Sequence, residues 1–90
     1  MKIYIDKDIK NLNDLLSDTT VIDITDLQQI EIDELLKHES VTVVASGQAH
    51  AQLVSQLVNS RPNQKKPITL VQTHPNLTVL VDKEGAKLIL

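Results

Sequence analysis

The sequence of 90 residues contains no cysteine, phenylalanine or tryptophan, and Tyr4 is its single tyrosine. The absence of cysteine excludes disulfides and thiolate metal sites, and it is typical of cytosolic proteins. The near absence of aromatic residues argues against a stacking platform for single-stranded nucleic acid. The core must therefore be built from Leu, Ile and Val, and a small aliphatic core often gains support from oligomerisation.

Long apolar runs, glycine and net positive charge are also missing or scarce. No stretch approaches the roughly 18 apolar residues of a membrane span, and the N-terminus lacks a signal-peptide pattern. The two glycines, Gly47 and Gly85, are too few for a glycine-rich phosphate loop. The formal charge of −3 argues against binding to duplex nucleic acid. We therefore expect a cytoplasmic protein without a membrane partner or a cofactor.

The apolar residues occur in segments with strand or helix spacing, which predicts a single α/β domain over residues 1–90. We expect a mixed sheet of about five to six strands with two to three helices. Strands are predicted at 2–6, 20–24 and 41–44, and helices at 9–16, 33–38 (with Leu35 and Leu36 buried) and 48–59. Residues 26–32 fit either a helix or a strand. The last third predicts a three-stranded β-meander, with strands at 68–73, 77–81 and 86–90.

The central stretch, residues 41–59, reads as a strand, a tight turn and a helix. The strand residues 41–44 are β-branched and apolar without alternation, as expected for a strand that is covered on both faces. Ser46, Gly47 and Gln48 form the turn. The first N–H groups of a helix have no intrahelical partner and lie at the positive end of the helix dipole. This turn is therefore a candidate binding site for phosphate or another anion.

The three histidines, His38, His50 and His74, are too scattered in the sequence to form a local metal motif, and we expect no metal site. His50 lies in the first turn of the central helix, where the dipole disfavours the protonated ring. A neutral imidazole at this place is a candidate general acid or base on a bound phosphate. The alternative is a histidine with a surface or packing role.

A basic loop follows the central stretch. The loop 60–67 contains Lys65 and Lys66, which either contribute to an anion site or are simply solvated. A helix over 48–59 spans about 18 Å, and the loop follows its C-terminal end, so these lysines lie at the opposite end of the helix from Ser46.

The apolar strand predicted at 86–90 is a candidate sheet edge that pairs with a second copy, giving a homodimer.

Several short segments together resemble the small viral ring nucleases, which are type III anti-CRISPR proteins, and their YddF-like relatives on mobile elements. The segments that carry the resemblance are Tyr4-Ile5, 11–15, 21–24, 43–47, 51–58 and Gln64-Lys65-Lys66 before a strand. The resemblance covers most of the chain to about Val81. It implies an α/β homodimer that binds cyclic tetra-adenylate between its subunits, which active members of the family linearise.

The sequence departs from that family at its catalytic position. Members usually carry a Gly-His pair at the strand-to-helix turn, and Gly47 stands where the histidine belongs. Asn11 and Asn13 occupy the place of a Ser-x-Asn pair near the ligand, and they otherwise read as solvated helix surface. Lys66 stands where an arginine is common, and lysine lacks its bidentate fork. His50 is a candidate substitute for the missing histidine.

Two functional hypotheses follow. In the first, a small dimer binds a cyclic oligonucleotide or another anionic nucleotide through Asn11, Asn13, Lys66 and the turn 46–50, with weak or no phosphodiesterase activity at His50. In the second, the chain is a non-enzymatic module from a mobile element. It then inhibits or regulates a basic host protein through the edge strand at 86–90 and an acidic face formed by Asp23, Asp26, Glu31, Asp33 and Glu34.

Overall fold

The computed structural model describes residues 1–63 and 65–90, within which four strands form one sheet in the order β1-β4-β3-β2. The strands are β1 (Lys2–Asp6), β2 (Thr20–Asp23), β3 (Val41–Ala45) and β4 (Leu77–Asp82). The α-helices are α1 (Ile32–Leu36), α2 (Ala51–Asn59) and α3 (Pro67–Leu70), and 3₁₀ helices span Ile9–Leu16, Ile24–Gln28, Gln48–His50 and Val71–Thr73. The predicted α/β class is confirmed, with fewer strands than expected.

All neighbouring strands in the sheet run parallel, so the prediction of a mixed sheet is wrong. In the two central strands, β3 and β4, every residue is buried or half-buried. Thr42 points away from the face that carries Val41 and Val43, and all three are buried. The expectation that residues 41–44 are covered on both faces is therefore confirmed.

The main core lies between one face of the sheet and the helices. Val43 pairs in register with Val79 at the centre of the sheet, and neither side chain is exposed. Val54 and Leu57 of α2 are also fully buried in this core. They lie three residues apart, which places them on one face of the helix. The periodicity predicted for residues 48–59 is confirmed, with a 3₁₀ turn before the α-helix.

The opposite face of the sheet is covered by the 3₁₀ helix at 9–16, which contacts β1 and β4. This helix contains no fully buried residue, although Leu80 beneath it is only 1% exposed. The edge strand β1 remains open, because Ile3, Tyr4 and Ile5 each expose more than a third of their surface. The sheet is thus well covered at its centre and poorly covered at this edge.

The strand predicted at 68–73 is wrong, because these residues form α3 and the 3₁₀ helix that follows it. Pro67 begins α3, where a proline lacks only an N–H that would have no partner anyway. Ile68 and Val71, three residues apart, are both buried. The hydroxyl of Thr69, which is fully buried, donates to the Lys66 carbonyl (2.8 Å). These contacts favour a helical turn over the strand that β-branched residues predict.

The last predicted strand is also wrong, because residues 83–89 form consecutive turns. The Ala86 N–H donates to the Asp82 carbonyl (3.0 Å), and the Ile89 N–H donates to the Ala86 carbonyl (2.9 Å). The three-stranded meander therefore does not exist, and only its middle strand is present, as β4. The edge strand on which the predicted homodimer rested is absent. The homodimer itself stays a prediction.

The helices before β3 are short. Residues 24–28 form a 3₁₀ helix, so the first three residues of the ambiguous stretch 26–32 are helical, and none of that stretch forms a strand. Leu35 in α1 is buried as predicted, whereas Leu36 is 44% exposed. Consecutive helical residues point about 100° apart, so a one-turn helix cannot bury both. None of the helices within residues 1–63 and 65–90 is long and apolar enough to cross a membrane.

Candidate anion-binding site

The predicted turn lies at the carboxyl edge of the parallel sheet. The strand β3 ends at Ala45, and the chain then passes through Ser46 and Gly47 into the 3₁₀ helix at 48–50 and α2. In open sheets of parallel strands, ligands bind in the crevice beyond the carboxyl ends of the strands. The sequence and the topology therefore indicate the same place.

The backbone of the turn presents free N–H groups. Gly47 has φ 87° and ψ 151°, a conformation that L side chains rarely adopt, although no atom would meet a Cβ there. The His50 N–H donates to the Gly47 carbonyl (3.1 Å). The N–H groups of Gln48 and Ala49 have no acceptor in the described parts of the chain. These two donors, at the start of a helix, are available to an anion.

The ring of His50 is fixed against the same turn. Its Nδ1–H donates to the carbonyl oxygen of Ser46 (2.6 Å). A carbonyl can only accept, so in the neutral ring Nε2 carries the lone pair, and in the protonated ring Nε2–H is a second donor. His50 is half-buried and Ser46 is exposed. The structure thus brings Ser46, Gly47, Gln48 and His50 together, as the sequence predicted.

Asp23, the last residue of β2, lies near His50 at this edge of the sheet. The backbone N–H of Thr25 (2.9 Å) and its hydroxyl (2.7 Å) both donate to the Asp23 carboxylate. These bonds lower the pKa of Asp23, and the positive charge of His50 lowers it further. Asp23 is therefore a charged carboxylate at neutral pH, and it competes with a bound anion for the protonated ring of His50.

A second carboxylate, that of Asp82, holds the turn from β4. Both of its oxygens accept from the Gly47 N–H at 3.1 Å, and Oδ1 also accepts from the Gly85 N–H at 2.7 Å. Hydrogen bonds to a charged group are about twice as strong as neutral ones. Asp82 therefore fixes the position of Gly47 relative to the sheet.

Asp82 and Gly85 are the residues of this site that the sequence analysis missed. A local signal was present, because Asp82 follows an apolar strand and accepts from the N–H three residues later, as an N-cap residue does. The long-range contact to Gly47, 35 residues away, had no such signal. It exists only because the parallel sheet places the ends of β3 and β4 side by side.

Asn11 and Asn13 do not join the turn. The Asn11 amide donates to the Asp6 carboxylate (2.8 Å) at the end of β1, and Asn13 is exposed on the 9–16 helix. The strand β4 lies between β1 and β3, so Asp6 is about two strand spacings, roughly 10 Å, from the turn. The described contacts give Asn11 a structural partner, and its role as a ligand residue stays a prediction.

We expect the change Asn11→Ala to raise the pKa of Asp6. The pKa of this carboxyl is lowered chiefly by the Asn11 amide, with further contributions from the N–H groups of Asp8 and Lys7 and the charge of Lys83. Because the pKa of Asp6 is lower in the folded state, its ionised form stabilises the fold at pH values above the ordinary pKa of 3.8. This contribution is lost as the pH falls through the folded-state pKa. Titration of the Asp6 carboxyl carbon by NMR measures the shift, and an unchanged midpoint would contradict it. Asn13→Ala is the matched control.

Lys66 lies at the other end of α2. Its carbonyl accepts from the N–H of Thr69 (2.9 Å) and from the Thr69 hydroxyl, and its side chain is exposed. The hydrogen bonds of residues 1–63 and 65–90 do not join it to the turn. Gln64, beside it in the predicted basic segment, lies outside the described residues. The role of Lys66 as a ligand residue therefore stays a prediction. The geometry of a single subunit does not support it, because Lys66 and the turn lie apart.

The other two histidines lie away from the turn, at the amino edge of the sheet. His74 is 3% exposed, and its Nε2–H donates to the His38 carbonyl (2.7 Å). Its Nδ1 accepts from the Asn76 N–H (3.0 Å). This arrangement ties the start of β4 to the segment after α1 and explains why a histidine is buried here. Within the described parts of the chain, no three His, Asp or Glu residues are placed to hold a metal ion.

A cavity of about 480 Å³ also opens at the amino edge. Its lining includes Lys2 and Leu77, which begin β1 and β4, and Ser40 before β3. A strand of five residues is about 16 Å long, so the cavity and the turn lie at opposite ends of the sheet. We take the turn as the candidate site because the free N–H groups and the ring of His50 converge there.

Comparison with known proteins relates this chain to sugar-phosphate enzymes. No protein-family model matches it. It is 32% identical over 60 residues to a glucosamine-6-phosphate deaminase of Alkaliphilus metalliredigens, covering 67% of this chain and 25% of that protein. It is 36% identical over 55 residues to the enzyme of the same name from Halothermothrix orenii, covering 61% of this chain and 23% of the relative. The chain thus spans about a quarter of the length of these relatives.

Comparison of the fold with solved structures also finds a glucosamine-6-phosphate deaminase. A solved monomeric glucosamine-6-phosphate deaminase, described as the missing link of the NagB superfamily, matches with a TM-score of 0.61 and 27% identity. The match covers 66% of this chain and 24% of that structure. The α/β fold of this chain is therefore similar to a part of a NagB-superfamily enzyme.

These similarities overturn the functional hypotheses drawn from the sequence. The resemblance to viral ring nucleases and anti-CRISPR proteins is wrong, because the relatives found are glucosamine-6-phosphate deaminases. The nucleotide ligand and the phosphodiesterase role of His50 that depended on it are withdrawn. The alternative, a non-enzymatic module that acts on a host protein, is not supported by these relatives either.

Proposed function

We propose that the turn at residues 46–50 binds the phosphate group of a phosphorylated sugar. The observation that carries this proposal is the pair of free N–H groups on Gln48 and Ala49, at a helix start on the carboxyl edge of a parallel sheet. The relatives act on glucosamine 6-phosphate, as their names state. A phosphate ester is an anion that such a turn suits.

The side chains around the turn support the same ligand. The protonated ring of His50 has its Nε2–H available, because Nδ1–H is already donated to Ser46. A protonated imidazole adds a charge-assisted bond to a phosphate oxygen. The exposed hydroxyl of Ser46 is a further donor. His50 is therefore proposed as a binding residue, and Ser46 and Gln48 keep the role that the sequence predicted, whereas the N–H of Gly47 is bonded to Asp82.

The proposal concerns binding and not deamination. The chain spans about a quarter of the deaminases that it matches. Deamination takes place at the amino group of the sugar, whereas the turn would hold the phosphate group. A phosphosugar-binding role needs only the groups that the turn presents.

We expect glucosamine 6-phosphate to stabilise the protein and unphosphorylated glucosamine to leave it unchanged. At ten times Kd, binding to the folded state adds about 1.4 kcal/mol, which raises Tm by roughly 6–10 °C for a domain of this size. Differential scanning fluorimetry at pH 6 measures the shift.

The change His50→Ala should reduce that shift, whereas His38→Ala should preserve it. His38 is an exposed histidine at the amino edge of the sheet, so it controls for loss of an imidazole elsewhere. Equal shifts with glucosamine and its phosphate, or no shift with millimolar glucosamine 6-phosphate, would rule out a phosphate site. Equal loss in the two variants would remove His50 from it.

A further inference from the structure

We infer that Asp82 determines which anions the turn accepts, by fixing the turn and by disfavouring ligands of high negative charge. This inference rests on the proposed function, because it concerns the same turn. It adds a specificity residue that lies on another strand, outside the segment 46–50.

The contacts of Asp82 explain the first part of this role. Its carboxylate accepts from the Gly47 N–H through both oxygens at 3.1 Å and from the Gly85 N–H at 2.7 Å. The Gly47 N–H is therefore already used by an anionic group of the protein. A ligand at the turn is left with the N–H groups of Gln48 and Ala49, whose direction depends on where Gly47 is held.

The charge of Asp82 explains the second part. A phosphate that accepts from the Gln48 N–H lies within roughly 10 Å of the Asp82 carboxylate, which is two hydrogen bonds and one peptide step away. At that distance in a mostly aqueous crevice, two negative charges repel each other measurably. The repulsion doubles for a doubly charged phosphate ester.

The neighbouring charges do not cancel this repulsion. Asp6 pairs in register with Asp82 on β1, and Asp23 adds a third carboxylate at the same edge, near His50. Lys83, whose charge lowers the pKa of Asp6, and the protonated ring of His50 are the opposing cations. The edge therefore suits an anion whose charge is partly neutralised, such as a phosphorylated amino sugar, which carries an ammonium group.

The change Asp82→Asn tests the inference because asparagine keeps an acceptor oxygen and removes the charge. Binding is measured by calorimetry at pH 8 and low salt with two sugars of similar shape. Glucose 6-phosphate carries two negative charges at this pH, because the second pKa of a phosphate ester is about 6. Glucose 6-sulfate carries one. We expect the variant to bind the phosphate about fourfold more tightly than the wild type does, and the sulfate about twofold more tightly.

Two further variants make the result specific. Glu84→Gln removes an exposed carboxylate from the same turn and should change both affinities by less than Asp82→Asn does, because an exposed charge acts through water, whose dielectric constant is high. Asp82→Ser provides a second neutral residue with an acceptor oxygen, should Asp82→Asn fold poorly. Circular dichroism spectra establish that each variant is folded.

The outcomes separate the inference from the proposed function. If the wild type binds both sugars and the neutral variants gain equally or not at all, the inference is overturned and the phosphate site stands. If neither sugar binds to the wild type or to the variants, at pH 8 or at pH 6, both are overturned. A larger gain for the phosphate ester supports both.

Discussion

The change Leu57→Ala should lower the free energy of unfolding by about 3 kcal/mol, within the range of 2–5 kcal/mol found for buried leucines. Leu57 in α2 has no exposed surface and packs in the main core between the helices and the sheet. The chain has no Phe or Trp, so each large aliphatic side chain fills a large share of that core. The cavity left by the truncation adds to the lost transfer free energy.

Urea denaturation followed by circular dichroism measures this loss as a shift of the midpoint at constant slope. The matched control is Leu36→Ala, since Leu36 is 44% exposed in α1 and the same atoms are removed from a surface position. We expect the control to cost less than about 1 kcal/mol. Similar losses in the two variants would show that α2 does not pack on the sheet as described.

The strand-turn-helix at 41–59 could be predicted from the sequence because its signals are local. An unbroken apolar strand, a glycine and a helical period all occur within this stretch. The burial of Val43 and Leu57 and the positive φ of Gly47 are as these signals require. The position of the turn at the carboxyl edge then follows from the parallel sheet.

Two of the three strands predicted in the last third are wrong because local side-chain contacts with the backbone override their composition. Residues 68–73 have the composition of a strand, and the buried hydroxyl of Thr69, bonded to the Lys66 carbonyl, stabilises a helical turn instead. At 82–90, Asp82 accepts from the Gly85 N–H and begins a series of turns. In both places a side chain that reaches the backbone decides the structure.

The resemblance to ring nucleases was wrong for a related reason. Its longest segment, 51–58, is an amphipathic helix, and 43–47 is the end of a buried strand with the first residues of the turn after it. Many parallel α/β folds share such segments. Similarity in such segments indicates a shared way of packing and does not indicate a shared function. The catalytic position, where Gly47 stands in place of a histidine, departed from the family. That departure agrees with the relatives that were found.

The candidate site shows the same division between local and long-range information. Ser46, Gly47, Gln48 and His50 are close in sequence and meet in the structure. Asn11 and Lys66 depended on the assumed family, and the fold gives them other neighbours: Asn11 bonds Asp6, and the exposed Lys66 lies in the loop after α2. Long-range partners of the turn require the strand order, which the sequence did not reveal.

The change Gly85→Ala should lower the free energy of unfolding by about 2 kcal/mol and also weaken the binding of glucosamine 6-phosphate. A Cβ at this position would lie 2.8 Å from Val81 Cγ2 and 3.1 Å from Asp82 Oδ1. Gly85 is buried, and Val81 is β-branched, so its methyl group cannot move aside without leaving its rotamer. The Asp82 carboxylate must then shift, and Gly47 loses the contact that fixes the turn.

Chemical denaturation measures the stability, and calorimetry with glucosamine 6-phosphate measures the affinity under conditions where the variant is fully folded. Glu84→Ala is the matched control, because it changes the exposed neighbour in the same turn and adds no atom near Asp82. If Gly85→Ala lowers stability but leaves the affinity unchanged, the contact between Asp82 and Gly47 is structural only. If both quantities fall together while the control changes neither, the end of β4 positions the anion-binding turn, and the site extends beyond residues 46–50.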